Sequence, residues 1–340
     1  VSVGCPSGIG PEVAVVAAAT ERRARVLLVG DEAALRGAAR GRGVAASRLV
    51  RVDAPEDAWT LPAHRIAVWQ PTTDLSPRDR MPGKPSRAAG AAQLAWIDAA
   101  CDLVSSGGAD ALTTGPVSKE AITRSGGRAA RAFLGHTEHL QRRLRAREVV
   151  MAFWSPALVA SLATTHLPLA RVPRAVTRAA VARAAYWLAW LLSQVGQGVP
   201  RVAVASLNPH AGEGGLLGRE ERTQIGPGIA SARARLASSG IEAEVEGPIP
   251  AETAFRRAQG DGNRRERRWD GVVAMYHDQA TIPMKLAGFG DAVNVSLGLP
   301  IVRTSVDHGT GYDRAGTWTA DARGMVAALA LAAALRRKPR

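Results

Sequence analysis

The segment GVVAMYHDQATIPMKLAGFGDAVNVSLGLPIVRTSVDHGTGYDRAG, residues 271–316, decides the fold class. Its first apolar run, 272–275, reads as a strand buried on both faces, because it is short, continuous and bounded by turn-forming and polar residues. That strand delivers His277 and Asp278 to its carboxyl end. Open α/β sheets bind ligands beyond the carboxyl ends of their strands. Lys285, Asn294 and Arg303 follow, separated by turn-rich sequence containing Gly288, Gly290, Gly298 and Pro300. His308, Gly309 and Thr310 come next and lead into Asp313. Packing explains such a density of His, Asp, Lys, Asn and Arg poorly. The pattern points to a metal-dependent site for a phosphorylated, carboxylate-bearing substrate.

Outward from this segment, strands and helices alternate, as in an α/β protein. GIGPE at 8–12 opens a helix with proline at a favoured first position. Its glycine-rich turn is either an anion-holding helix start or a plain strand–turn–helix connection. Strands are expected at 25–30, 66–69, 109–113, 149–153, 158–163 and 202–207, and helices from 31, over 86–105, 174–194, 220–238 and 322–335. In TTGPVSK, residues 113–119, Thr113, Thr114, Ser118 and Lys119 crowd a strand end that turns into a helix. Phosphate or ribose contact is one reading, and Ser118 as the helix cap is the other. The aromatics Tyr186, Trp187 and Trp190 stand at helical spacing, which suits core or subunit contact. His64 reads as an ordinary surface or core histidine.

With 340 residues and 46% apolar content the chain can bury two sizeable cores. Its formal charge of +14 would suit nucleic acid, but only four of the 44 basic residues are lysine and no nucleic-acid-binding module is present. The longest basic groups, 264–268 and 336–340, suit a solvated surface, and a basic field steers anionic substrates. Two cysteines, Cys5 and Cys101, are too few for a disulfide framework or a thiolate zinc site. The apolar stretch 184–192 is too short to span a bilayer, and no signal-peptide pattern opens the sequence. A cytoplasmic protein with no membrane or nucleic-acid partner is expected.

Three of the seven histidines, His166, His210 and His277, follow apolar strands. In a parallel sheet those ends share one edge, so three imidazoles from separate strands can converge. Three neutral imidazoles with open positions left over suit a catalytic divalent ion such as zinc, cobalt, nickel or manganese. Asp278 is placed to orient an imidazole or to act as a base.

The motifs TTGPVSKEAI at 113–122, GHTEHL at 135–140, LATTHLPL at 162–169, LNPHAGEGGLLGREE at 207–221, GPIPAET at 247–253, AMYHDQ at 274–279 and NVSLGLPIVRTSVDHGT at 294–310 join GIGPE in one pattern. The chain resembles, over nearly its whole length, the 4-hydroxythreonine-4-phosphate dehydrogenases of pyridoxal phosphate biosynthesis and their relatives acting on 4-phospho-threonate and 4-phospho-erythronate. The resemblance implies two α/β/α lobes with a cleft between them, similar to isocitrate and isopropylmalate dehydrogenases, and a homodimer with the active site at the subunit interface. The lobes are expected at 1–128 plus 312–340, with cofactor contacts, and at 129–311, with metal and substrate ligands. It also implies His166, His210 and His277 as ligands of a divalent metal (zinc, magnesium or cobalt). His136, Thr137, Lys285, Asn294 and Arg303 would contact the phosphorylated substrate, and His308, Gly309, Thr310 and Asp313 the adenosine end of NAD or NADP. No GxGxxG follows a strand, in keeping with a family that binds NAD without that fingerprint. The sequence departs from the family pattern at Cys5, Ser7, Glu252, Arg314 and the pair Thr317-Trp318, and none of these is a metal ligand.

The implied reaction is oxidation of 4-phosphooxy-threonine and decarboxylation to 3-amino-2-oxopropyl phosphate. The alternative is the same chemistry on 4-phospho-D-threonate or 4-phospho-D-erythronate, giving dihydroxyacetone phosphate. A metal would lower the alcohol's pKa while hydride leaves for the cofactor, and Asp278 and Lys119 are the candidates for the proton relay. Arg303 suits a two-point contact with phosphate or carboxylate, and Lys285 a point charge. Two other classes compete: a phosphate acyltransferase, which would need no metal, and a non-catalytic binding protein, which would have lost ligands.

Overall fold

The structure, a computed structural model, describes residues 1–196, 198–259, 267–288 and 290–335. Its strands are β1 (Leu27–Val29), β2 (Leu49–Val52), β3 (Ile66–Trp69), β4 (Ala111–Thr114), β5 (Val150–Trp154), β6 (Val159–Leu162), β7 (Arg201–Ala205), β8 (Glu244–Ile249), β9 (Gly271–Ala274), β10 (Val293–Leu297) and β11 (Val302–Val306). Its helices are α1 (Gly10–Thr20), α2 (Glu32–Gly41), α3 (Arg87–Ser106), α4 (Lys119–Ser125), α5 (Arg128–Arg131), α6 (His136–Arg143), α7 (Val172–Ala175), α8 (Arg178–Val195), α9 (Gly226–Ser238), α10 (Ala251–Gln259), α11 (His277–Ala287) and α12 (Arg323–Ala334). The chain divides into two compact units, Val1–Ala146 with Leu299–Arg340, and Arg147–Gly298. The unit boundaries thus differ from the expected lobe boundaries. Residues 129–146 and 299–311 belong to the first unit because β11 pairs with β4 and α6 is bonded to α3 through His139 and Asp98.

In the first unit β3 lies between β1 and β2, all parallel, and β4 lies parallel to β11. Ser2 bridges Val29 of β1 and Thr114 of β4. Strands buried on both faces need a continuous apolar run rather than alternation, which β1 satisfies with Leu27, Leu28 and Val29. One apolar cluster joins α1 and α12 through Val13, Ala17, Met325 and Leu329. Helix starts follow the side chains available: Asp31 accepts from Ala34 N at 2.7 Å and Ser86 from Ala89 N at 3.0 Å. Each such cap is worth about 1 kcal/mol.

The second unit orders its strands β10-β5-β6-β9-β7-β8. β5 is antiparallel to both its neighbours, whereas β6, β9, β7 and β8 run parallel. The expected strand at 272–275 is β9, buried at every residue. On one side of the sheet Phe153, Phe255, Trp269 and Met284 share a core, which holds α10 and α11 in place. α8 carries the aromatics singled out in the sequence: Tyr186 and Trp190 are buried, and Trp187 Nε1 donates to Glu148 Oε1 at 2.7 Å. They are core contacts.

The expected helix over 174–194 is two helices, α7 and α8, because Thr177 caps α8 by accepting from Ala180 N. The expected helix over 220–238 opens with a π-helical turn, Glu221–Ile225. β2, within 49–52, was not expected. Its residues LVRV are only partly buried, so no continuous apolar run marks it. Of the two basic groups, residues 264–266 and 336–340 lie outside the described residues. Arg268 pairs with Glu246 at 3.0 Å. Among the described residues no helix is long and apolar enough to cross a membrane, and Cys5 and Cys101 are both free and buried.

Candidate active site

The first unit builds a cationic group beside the paired strands β4 and β11. Arg303, opposite Leu112 in the ladder, is only 3% exposed, and its Nη2 donates to Thr114 Oγ1 at 2.7 Å. Burial draws its pKa down to about 10, opposed by the Glu138 carboxylate. Beyond β4 the chain turns through Gly115-Pro116 into α4, where Ser118 Oγ accepts from Ala121 N at 3.1 Å. Ser118 is therefore the helix cap, and Lys119 is the exposed first residue of α4.

α6 opens at His136 with Thr137 half-buried beside it. At Gly135, just before it, an added Cβ would lie 2.9 Å from Glu138 Oε2 and 3.6 Å from Lys119 Nζ. Lys119, Glu138 and the helix start therefore share one small region. His136 Nε2 is shielded from solvent and has no hydrogen-bond partner. Its pKa is held well below the ordinary 6.5, by burial first and then by Arg303, His139 and Lys119. Burial and neighbouring cations both oppose a charged imidazole, so His136 is neutral at physiological pH. An anion placed here would meet two cations, an unused imidazole nitrogen and a helix N-terminus.

The helix is held from behind. His139 Nε2 lies 2.6 Å from Asp98 Oδ1, and Arg143 reaches Asp102 through Nε at 2.9 Å. Phe133 sits 6.0 Å from the His136 ring and 5.4 Å from the His139 ring, centroid to centroid.

Also in the first unit, His308, Gly309 and Asp313 are exposed. His308 Nδ1 lies 3.0 Å from Gly309 O, and Asp313 is 3.8 Å from Arg314. Thr310 O accepts from Ile9 N at 2.9 Å, and a Cβ at Gly8 would come within 2.6 Å of the same oxygen. The loop 308–313 is thus tied to the opening turn, where only glycine permits the approach. Tyr312 OH lies 3.6 Å from Cys5 Sγ, and burial pushes the phenol up to about 12 and the thiol upward.

The second unit sets its histidines after β6, β9 and β7, three neighbouring parallel strands whose carboxyl ends share an edge. His166 and His277 stand side by side, with ring centroids 5.2 Å apart and planes inclined by 44°. His277 opens α11, and its Nδ1 is 2.7 Å from Asp278 Oδ1. An ionised carboxylate can only accept, so Nδ1 carries the proton and Nε2 keeps its lone pair. Such a pair of imidazoles suits a divalent ion.

His210 is the exception. It lies on the turn Pro209–Gly215, where His210, Ala211 and Glu213 join Gly212 and Gly214 at positive φ. Left-handed backbone costs a residue bearing a Cβ about 1–2 kcal/mol. The Glu221 carboxylate anchors the start of this turn, accepting from Leu207 N, Asn208 N and Asn208 Nδ2. Among the described residues no group of three or more His, Cys, Asp or Glu is arranged to hold a metal ion. Of the three expected ligands, His166 and His277 stand together, and His210 lies on the left-handed turn. Glu252, held below the usual carboxylate range by the Thr253 hydroxyl and, less strongly, by His210, opens α10 near that turn. Lys285 is exposed on α11, about 12 Å along the helix from His277 at 1.5 Å per residue. Asn294 sits on β10 opposite Phe153, with Oδ1 shielded and without a partner.

Thr114 as the partner of Arg303, Glu138 as its counter-charge and Asp98 as the partner of His139 are absent from the sequence reading. Only the juxtaposition of β4 with β11 and of α3 with α6 reveals them. The one signal available was the threonine pair ending the strand-like run at 111–114.

Over residues 22–332 the chain matches the family described as pyridoxal phosphate biosynthetic protein PdxA. It is 41% identical to the 4-hydroxythreonine-4-phosphate dehydrogenase of Desulfosudis oleivorans, over 98% of this chain and 94% of that protein. It is 42% identical to the enzyme of the same name from Geobacter metallireducens, over 99% and 95%. The crystal structure of 4-hydroxythreonine-4-phosphate dehydrogenase from Klebsiella pneumoniae superposes with a TM-score of 0.78 and 33% identity, covering 98% of both chains.

Proposed function

Since the chain belongs to the PdxA family of pyridoxal phosphate biosynthetic proteins, we propose that it oxidises 4-phosphooxy-threonine with a nicotinamide cofactor and decarboxylates the product to 3-amino-2-oxopropyl phosphate. The observation that carries the phosphate half of this reading is the neutral, shielded His136 imidazole beside Arg303 and Lys119. Arg303, oriented by Thr114, and His136, oriented by α6, would hold the phosphate, with Thr137 and the helix N-terminus adding donors. Asn294 and Lys285 of the second unit are proposed as further substrate contacts.

In the second unit His166 and His277 would hold a divalent ion (zinc, magnesium or cobalt), with His210 as the third ligand. When bound, the ion polarises the substrate alcohol and the nicotinamide accepts the hydride. Asp278 keeps the proton on His277 Nδ1. Asp278 and Lys119 are the candidates for the proton relay. Oxidation places a ketone beta to the carboxylate, so the bond to carbon dioxide can break with its electrons moving to the ketone oxygen. His308, Gly309, Thr310 and Asp313 are proposed to hold the adenosine half of NAD or NADP. The exposed apolar side chains Leu167, Leu169, Ile282 and Leu286 support a homodimer with the active site at its interface. The free thiols Cys5 and Cys101 suit a cytoplasmic setting.

The test is formation of reduced nicotinamide from 4-phosphooxy-threonine, 4-phospho-D-threonate and 4-phospho-D-erythronate, each with NAD and NADP and with or without a chelator. The amine-bearing substrate should turn over fastest, and the chelator should abolish it. No reduced cofactor from any substrate in the presence of metal overturns the reading. Preference for phospho-threonate or phospho-erythronate by more than about tenfold moves the substrate to that branch, a difference of roughly 1.4 kcal/mol in transition-state binding.

A further inference from the structure

In the first unit the segment 121–137 carries Arg124, Arg128 and Arg131 and no acidic residue. Arg124 is engaged, since its Nη1 lies 2.9 Å from Glu120 Oε1. Arg128 and Arg131 are exposed on α5, and their side chains make no ion pair or hydrogen bond with any described residue. Three residues apart on one helix, these two cations are neighbours. Arg128 also sits at the helix start, where the backbone dipole disfavours positive charge. Neither placement stabilises α5. Gly127, Arg128, Arg131 and Ala132 line a concavity of about 430 Å³, within the roughly 300–1,000 Å³ of small-molecule sites. Three of its four lining carbonyls are taken: Gly127 O accepts from Arg131 N at 3.2 Å, Arg128 O from Ala132 N at 3.3 Å, and Ala132 O from Arg142 Nη2 at 2.6 Å. The concavity therefore presents free guanidinium donors, which call for an anion.

Ala132 precedes His136 by four residues, so even a fully extended link would keep the two within about 14 Å. Lys119 belongs to the same region, its Nζ 3.6 Å from a Cβ placed on Gly135. Positive charge thus runs from solvent, at Arg128 and Arg131, through Lys119 to the buried Arg303. A buried cation offers little to an anion still in bulk water, whereas exposed cations act over about 8 Å at physiological ionic strength. We propose that the concavity on α5 is an outer capture site for the substrate's phosphate, which is held first by Arg128 and Arg131 and then passes to Lys119, His136 and Arg303. The inference rests on the phosphate half of the proposed function. It gives the two arginines a role in the encounter with substrate, apart from the chemistry that follows.

The experiment pairs steady-state kinetics with calorimetric titration of inorganic phosphate, both on the whole protein at about 25 mM and about 250 mM salt. Arg128→Gln with Arg131→Gln removes the two charges while keeping good helix formers. Arg22→Gln with Arg23→Gln, past the end of α1, removes two charges elsewhere and serves as the control. Thermal unfolding checks that both variants fold. At low salt kcat/KM for the phosphorylated substrate should fall about fivefold or more in the α5 variant and stay within about twofold in the control. The loss should shrink to under about twofold at high salt, where exposed charges are screened. Phosphate affinity should follow the same pattern, and Arg128→Lys with Arg131→Lys should restore most of both. No loss, an equal loss in the control, a loss that persists at high salt, or no recovery with lysine overturns the capture site. Phosphate binding that depends on the α5 arginines and on salt, in a protein that turns over no phosphorylated substrate, supports the site and refutes the oxidoreductase reading instead.

Discussion

Acidification should destabilise this protein through His136, and replacing that residue should remove the effect. In the unfolded chain an imidazole titrates near 6.5, whereas burial and the cations around it hold His136 well below that value in the fold. Between the two values the unfolded chain binds a proton that the folded chain refuses, so stability falls as the pH falls. The contribution is complete above about pH 6.5 and is lost at up to about 1.4 kcal/mol per unit below it, until the folded pKa is reached. Going from about pH 7.5 to about pH 5.5 should therefore cost about 1.4 kcal/mol at this one residue. Urea unfolding of the native protein and of His136→Gln at both pH values isolates the term, because the other six histidines are common to both. The native protein should lose about 1.4 kcal/mol more than the variant on acidification. Equal losses, within about 0.3 kcal/mol, would refute the reasoning, since His136 would then titrate alike in both states. Inorganic phosphate should narrow the difference, because an anion beside the ring favours its charged form.

Three further predictions concern the supports of the site. Asp278→Asn removes the group that fixes the proton on His277 Nδ1, and zinc affinity measured against a competing chelator should fall about 10–100-fold; unchanged affinity would remove Asp278 from that role. Thr114→Val deprives the buried Arg303 of its 2.7 Å bond, so stability should drop by about 1.5–3 kcal/mol and KM for the phosphorylated substrate should rise. Chemical denaturation and steady-state kinetics read the two effects separately. Gly90→Ala puts a methyl group 2.0 Å from Ala121 O, where α3 and α4 press together. Overpacking there should cost about 1–3 kcal/mol and shift the start of α4, which carries Lys119; a thermal midpoint at or above the native value would contradict the close packing.

Much of the fold and the residues expected in the site could be read along the chain. Runs such as 272–275 are strands because four apolar residues in succession need cover on both faces, and Asp31, Ser86 and Ser118 begin helices because their oxygens satisfy free backbone donors. Placement of histidines after β6, β7 and β9 was equally legible, since an apolar run followed by a polar residue marks a strand end. Local sequence therefore determined which groups reach the carboxyl edge. It did not determine how far apart they stand. His166 and His277 meet because β6 and β9 are neighbours, whereas His210 lies within a left-handed turn whose start is anchored by Glu221, fourteen residues beyond Leu207. The depressed pKa of His136 and the bond from Arg303 to Thr114 likewise arise only when distant segments shut out water and leave specific atoms facing one another. Solvent exclusion and through-space charge depend on three-dimensional neighbours, and no local pattern in the chain encodes them.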